Sequence, residues 1–177
     1  MTAINTYTAQ ALAKYPTKSV GFANDLKTVT STYELTDSLA QAAGSFLYMV
    51  RIPKGAYITS GRVYGDPLDS SGTSSALMSV HIGYNGPFTG VDGTAYTAAS
   101  ATTAFGASLA WGPDAVTVTG VKATNTRNFA FGGLLVTNGP LLTTDEGTVY
   151  IYFTASALAF TSGTIAMEVQ YYQLTHA

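Results

Sequence analysis

Two strand signatures at opposite ends of the chain constrain the fold more than anything between them. Near the front, Ser45-Phe-Leu-Tyr-Met-Val-Arg-Ile52 runs through Pro53-Lys54-Gly55 into Ala56-Tyr-Ile-Thr-Ser-Gly-Arg-Val-Tyr64. Near the end, Thr148-Val-Tyr-Ile-Tyr-Phe-Thr154 crosses a loop into Gly163-Thr-Ile-Ala-Met-Glu-Val-Gln-Tyr-Tyr-Gln-Leu174. Period-two alternation rich in β-branched and aromatic residues is the pattern of antiparallel strands. No comparable signal supports a long amphipathic helix.

The same alternation places further strands. Val29, Ser31, Tyr33 and Leu35 alternate with Thr28, Thr30, Thr32 and Glu34, as in a half-buried strand. The run Phe46–Ile52 is apolar on both faces, which predicts a central strand. Pro53-Lys54-Gly55 predicts a tight reversal, with Gly55 at positive φ, so that residues 56–64 return as the second strand of a hairpin. Strands are also predicted at Ala76–Ile82, Ala115–Val121 and Asn128–Thr137, which makes about eight. That number suits an all-β, antiparallel β-sandwich of jelly-roll type.

Residues 83–114 form the longest irregular stretch, punctuated by Asn85-Gly86-Pro87, Asp92-Gly93 and Gly112-Pro113. A segment of that length is functional or holds short elements. Residues 1–26 read as an N-terminal arm: Thr8–Lys14 favours a short helix, bounded by Pro16 and Gly21. Beyond it Tyr15, Val20 and Phe22 are isolated apolar residues spaced to dock in separate shallow sites. The expected organisation is an extended arm over 1–26 and one sandwich domain over 27–177.

Composition bounds the chemistry. At 177 residues the chain can bury a core without metals or disulfides. Charged residues make up 10% of it, against roughly 25% in ordinary soluble domains. Thr, Ser, Gly, Ala and Asn fill the gap, and a surface of such groups is cheaper to bury against another protein than a charged one. A net charge of −2, with the basic residues scattered, gives no field to gather nucleic acid. There are no cysteines, which excludes disulfide frameworks and cysteine metal sites. The start, Met-Thr-Ala-Ile-Asn-Thr-Tyr7, lacks the pattern of a secretory signal, and no apolar run approaches the roughly 18 residues of a membrane span. A soluble protein made in the cytosol is expected.

Candidate catalytic groups are few. His81 lies mid-strand and His176 is next to last, and neither sits in a serine-elbow, zinc-peptidase or phosphate-loop motif. Asp66 with Asp69, and Asp145 with Glu146, are spaced to share a calcium ion. Both pairs lie in turn sequences, where Asp serves the local backbone. The 12 tyrosines are the plausible binding feature. Tyr150 and Tyr152 share one strand face, and Tyr171 and Tyr172 close the last strand; exposed, they could stack on sugars or anchor a protein. The competing reading puts them at the core rim.

The strand ending in Tyr33-Glu-Leu-Thr36, the connection Leu39-Ala-Gln-Ala-Ala-Gly44, the turn Val50-Arg-Ile-Pro-Lys-Gly55 followed by Gly61, and the closing Ser162-Gly-Thr-Ile-Ala-Met-Glu-Val-Gln-Tyr171 occur in that order. In this combination the chain resembles jelly-roll capsid-associated proteins of tailed bacteriophages, the decoration, cement or head-fibre components. The resemblance covers residues 27–83 and 147–174; the 83–114 segment is longer than the loops it implies. It implies a non-enzymatic virion structural protein, made in the host cytoplasm, that binds the outer capsid surface and stabilises the head. The implied partners are the major capsid protein and further copies of itself, as a homotrimer. No cofactor, nucleic acid or membrane is implied, and no catalytic residue carries over. The alternative is a carbohydrate- or receptor-binding jelly-roll module of a phage tail or fibre.

Overall fold

The computed structural model describes residues 5–12, 26–36, 42–66, 68, 78–97, 102–111, 127–155 and 162–173. In chain order they form β1 (Asn5–Tyr7), α1 (Ala9–Leu12), β2 (Leu26–Leu35), β3 (Phe46–Ile52) and β4 (Ala56–Gly65). The middle contributes β5 (Ser79–Tyr84), β6 (Phe88–Thr89), β7 (Ala95–Tyr96), β8 (Gly106–Ala110) and β9 (Arg127–Ala130). A single helical turn, α2 (Leu134–Asn138), precedes β10 (Leu141–Thr143), β11 (Gly147–Ala155) and β12 (Gly163–Gln173).

These strands make two sheets. One has the order β1-β3-β11-β5-β8, the other β2-β12-β4-β10-β6-β7, with β9 also paired to β4. Strands β9 and β10 share one edge of β4, the first along Arg62–Gly65 and the second at Tyr57 and Ile58. Eight strands carry the framework: β2, β12, β4 and β9 in one sheet, β3, β11, β5 and β8 in the other. The earliest and latest of them are neighbours, as are the second and seventh, which is the double Greek key of a jelly roll. The chain is an all-β sandwich. Inward residues of both sheets, among them Leu47, Ile58, Val63, Ile82, Ile151 and Val169, form one core.

The expected hairpin at Pro53-Lys54-Gly55 is not one. Strand β3 lies in the five-stranded sheet and β4 in the seven-stranded sheet, so the turn is a corner that carries the chain between layers. Gly55 does take positive φ, at 76°, where a side chain costs about 1–2 kcal/mol. Thr143 clasps the corner from β10. Its buried hydroxyl accepts the Ala56 N–H at 2.9 Å and donates to the Pro53 carbonyl at 2.7 Å. Its own carbonyl accepts the Gly55 N–H at 2.9 Å.

The N-terminal segment also departs from expectation. Residues Asn5–Tyr7 pair parallel to Phe46–Tyr48 and extend the five-stranded sheet. Beside them Thr8 is buried and its hydroxyl donates to the Met49 carbonyl at 2.6 Å while accepting from Ser31 Oγ at 2.8 Å. Met49 belongs to one sheet and Ser31 to the other, so this hydroxyl ties the two layers at their edge. Residues 5–12 are therefore part of the sandwich. The remainder of the expected arm, with Tyr15, Val20 and Phe22, lies outside the described residues.

Two other expectations change. The strand predicted over Asn128–Thr137 is divided: β9 ends at Ala130, and α2 begins at Leu134 after Gly132 and Gly133. Gly133 has φ 56°, and a Cβ there would lie 2.7 Å from the Ala104 carbonyl oxygen, so the strand cannot simply continue. The strand predicted at Ala115–Val121 lies outside the described residues. The 83–114 stretch holds β6, β7 and β8, short elements whose two to five residues give too little alternation to read.

Candidate interaction surface

Aromatic rings line the outer face of the five-stranded sheet in two rows that follow the cross-strand register. In the first, Tyr7 on β1 is opposite Tyr48 on β3, which is opposite Tyr150 on β11. In the second, Phe46 on β3 is opposite Tyr152 on β11, which is opposite His81 on β5. Directly opposed residues share a sheet face and stand close enough for ring contact. The Tyr7 and Tyr48 rings stack at 4.4 Å with 7° between planes, and Phe46 meets Tyr152 at 4.7 Å. Tyr150 meets Phe46 at 5.3 Å and Tyr48 at 5.6 Å, both in edge-to-face contact. His81 closes the second row against Tyr152 at 5.9 Å.

Packing makes this face hard to charge. Burial raises the Tyr150 phenol to about 12, helped by repulsion from the Tyr48 and Tyr152 phenols. Burial also raises Tyr48, with Tyr7 adding repulsion and a hydrogen bond, and it lowers the His81 imidazole. Each shift favours the neutral form. The nearest ion pair along β3 and β11 is Arg51 with Glu146, which meet in a two-pronged contact.

Tyr150 supplies part of the alkaline limb of stability, together with Tyr84, Tyr48 and Tyr171, whose phenols burial also raises. Unfolded, the Tyr150 phenol ionises near pH 10; folded, it holds its proton to about pH 12. Between those values the folded chain binds the extra proton, so stability is full below about pH 10 and falls as pH rises through 12. Melting temperature measured from pH 9 to 12 should show that fall, and Tyr150→Phe should make it shallower by the share of that one proton, with little change at pH 7. An identical slope in the variant would remove Tyr150 from the account.

The four tyrosines singled out by sequence are thus separated. Tyr150 and Tyr152 do come together, but Tyr150 is only 2% exposed and has no face to offer a sugar. Tyr171 points into the core. Tyr172, 41% exposed, lies on the outer face of the other sheet, between Leu26 on β2 and Tyr57 on β4. Tyr7, Phe46 and Tyr48 complete the aromatic face and went unmarked in the sequence, where Phe46 and Tyr48 read as one side of a central strand.

The outer face of the seven-stranded sheet has a different character. Thr28, Thr30 and Thr32 run along β2, and Ser60 donates to Gln170 at 2.7 Å between β4 and β12. Arg62 pairs with Glu168 at 2.9 Å and lies 5.1 Å over the Tyr64 ring. The five-stranded sheet presents an aromatic face, and the seven-stranded sheet a mixed one of threonines, the Arg62–Glu168 pair and Tyr57, Tyr64 and Tyr172.

Of the acidic pairs, Asp145 serves its local turn, whereas Asp66 reaches across to β12. Asp66 accepts the Thr164 N–H at 2.9 Å, and Asp145 accepts the Glu146 N–H at 2.8 Å while Glu146 engages Arg51. Asp69 and His176 lie outside the described residues. Among the described residues no group of three or more His, Asp or Glu is arranged to hold a metal ion.

The architecture has counterparts among solved structures. A chain of the capsid of Ralstonia phage GP4 matches at a TM-score of 0.61 with 17% identity, covering 97% of this chain and 99% of that one. A chain of the Cyanophage Pam1 capsid asymmetric unit matches at 0.55 with 16% identity, covering 94% of this chain and 97% of that one. The shared feature is the fold, over nearly the whole length of each chain. No family model and no curated protein matches the sequence.

Proposed function

We propose that the chain is a non-enzymatic structural protein of a bacteriophage virion, a decoration or cement protein on the outer surface of the capsid that stabilises the head. The observation that carries this is the likeness of the whole fold to chains found in two phage capsids. The aromatic face supports it physically. Aromatic residues are enriched and charges depleted at the centres of protein interfaces, and Tyr7, Phe46, Tyr48 and Tyr152 offer large ring area while losing little conformational freedom.

In this reading the partners are the major capsid protein and further copies of the chain, as a homotrimer. The segment holding Tyr15, Val20 and Phe22 reaches onto neighbours and adds contact area beyond the sandwich. Many equivalent sites on one shell multiply a modest single-site affinity. Purified chain mixed with particles that lack it should co-sediment with them and saturate at a fixed number of copies per particle. Chain left in the supernatant at tens of micromolar would refute attachment. Glutamate at Tyr152 should weaken binding at least tenfold, because the charge would have to be desolvated.

A further inference from the structure

Strand β2 is ten residues long and, among the described residues, pairs with β12 alone. Its ladder runs from Leu35–Gly163 to Leu26–Tyr172 without a register shift, whereas the ladders of β3 with β11, β5 with β11 and β4 with β12 are each interrupted. Edges open to other chains are normally blunted by proline, a bulge or added lysines. Strand β2 has no proline and no bulge, and its only charges are Lys27 and Glu34, one near each end.

The residues just before β2, Lys18-Ser-Val-Gly-Phe-Ala-Asn-Asp25, carry the complementary charges in the reverse order. One antiparallel register sets Lys18 opposite Glu34 and Asp25 opposite Lys27 together. It also sets Val20 opposite Thr32 and Phe22 opposite Thr30, on the outer face. Gly21 falls opposite Ser31, on the side where Thr8 already packs against Ser31. A chain cannot use this register on itself. Asp25 opposite Lys27 would leave Leu26 alone to make the turn, and the shortest common hairpin loop has two residues. A second copy has no such limit. The register is also its own mate, because a twofold axis at Leu26 generates both halves. It would place Leu26, 43% exposed and beside the 41% exposed Tyr172, against its equivalent.

We propose that the open edge of β2 takes residues 18–25 of a second copy of this chain as an added antiparallel strand, the two copies exchanging the segment about a twofold axis at Leu26. This goes beyond attachment to a capsid, since it is a contact between copies and needs no shell. Where the copies belong to trimers, it links one trimer to the next.

The chain has no cysteine of its own, which makes the register directly testable. Opposed residues in an antiparallel pair lie within disulfide reach. The double variant Val20→Cys, Thr32→Cys, oxidised as purified full-length chain, should run as a covalent dimer on a non-reducing gel. Val20→Cys with Tyr33→Cys, one residue out of register and facing the other side, should give at least tenfold less. Equal melting temperatures of the reduced variants and the wild type would establish that both fold. Uncrosslinked chain, a disulfide within one chain, or equal yields from the two variants would overturn the proposal. Covalent trimers would overturn the mutual exchange. The experiment contains no capsid, so its failure would leave the attachment reading standing, and the failure of attachment would leave this contact standing.

Discussion

Removal of residues 1–12 destabilises the sandwich by about 2–5 kcal/mol, a fall of about 5–15 °C in melting temperature for a domain of this size. The cost has named parts. The Met49 carbonyl and the Ser31 hydroxyl lose Thr8, their buried partner between the sheets. Tyr48 loses the ring stacked on it at 4.4 Å, and the five-stranded sheet loses its edge strand. Alanine at Tyr15, Val20 and Phe22 together should lower the melting temperature far less in dilute protein, since the proposed reading gives those residues contacts with other chains. Thermal unfolding of the two proteins side by side separates the roles. A truncated chain as stable as the full one would mean that β1 and α1 merely rest on the surface.

Trp111→Ala costs about 3–5 kcal/mol, the range for losing a large buried aromatic. Trp111 is fully buried at the end of β8, its ring 5.5 Å from Phe129 on β9. It is also a hydrogen-bonding junction. Its Nε1–H donates to the Asp66 carbonyl at 2.8 Å, and its backbone N–H donates to the Met78 carbonyl at 2.7 Å. Asp66 in turn exchanges backbone and carboxylate bonds with Thr164, so the ends of β4, β8 and β12 meet through this side chain. Trp111→Phe should cost less, about 1–3 kcal/mol, because most of the ring area survives while the Asp66 carbonyl loses its partner. Urea unfolding of both variants checks the order. Equal losses would assign the effect to the hydrogen bond rather than to the cavity.

For five long strands read from alternation, the sequence reading and the structure agree. Strands β2, β3, β4, β11 and β12 fall within a few residues of expectation. Their alternation reports which residues face inward, so most of the core was legible too. Alternation does not report which sheet a strand joins. Pro53-Lys54-Gly55 has the same chemistry in a hairpin and in a corner, and only the partners β11 and β12, about a hundred residues later, distinguish them. Strand β1 was hidden for a related reason: three residues carry no period, and its partner is some forty residues away. The run Leu134-Leu-Val-Thr-Asn138 reads as strand from its apolar residues, and the backbone demanded at Gly133 decides otherwise.

The aromatic face was half legible for the same cause. Tyr150 and Tyr152 stand two apart on one strand and announce a common face. Tyr7, Tyr48, Phe46 and His81 join them only through register across three further strands, which no local pattern encodes. Burial then reassigns roles: Tyr171 goes to the core, and Tyr150 supports its neighbours from beneath.

The most direct test of the proposed role is made on phage particles to which the chain binds, as the temperature at which they release their packaged genome with and without it. Particles lacking it should release at lower temperature, and adding back the purified full-length chain should restore the original value. The same release temperature in all three preparations would contradict a role in stabilising the head.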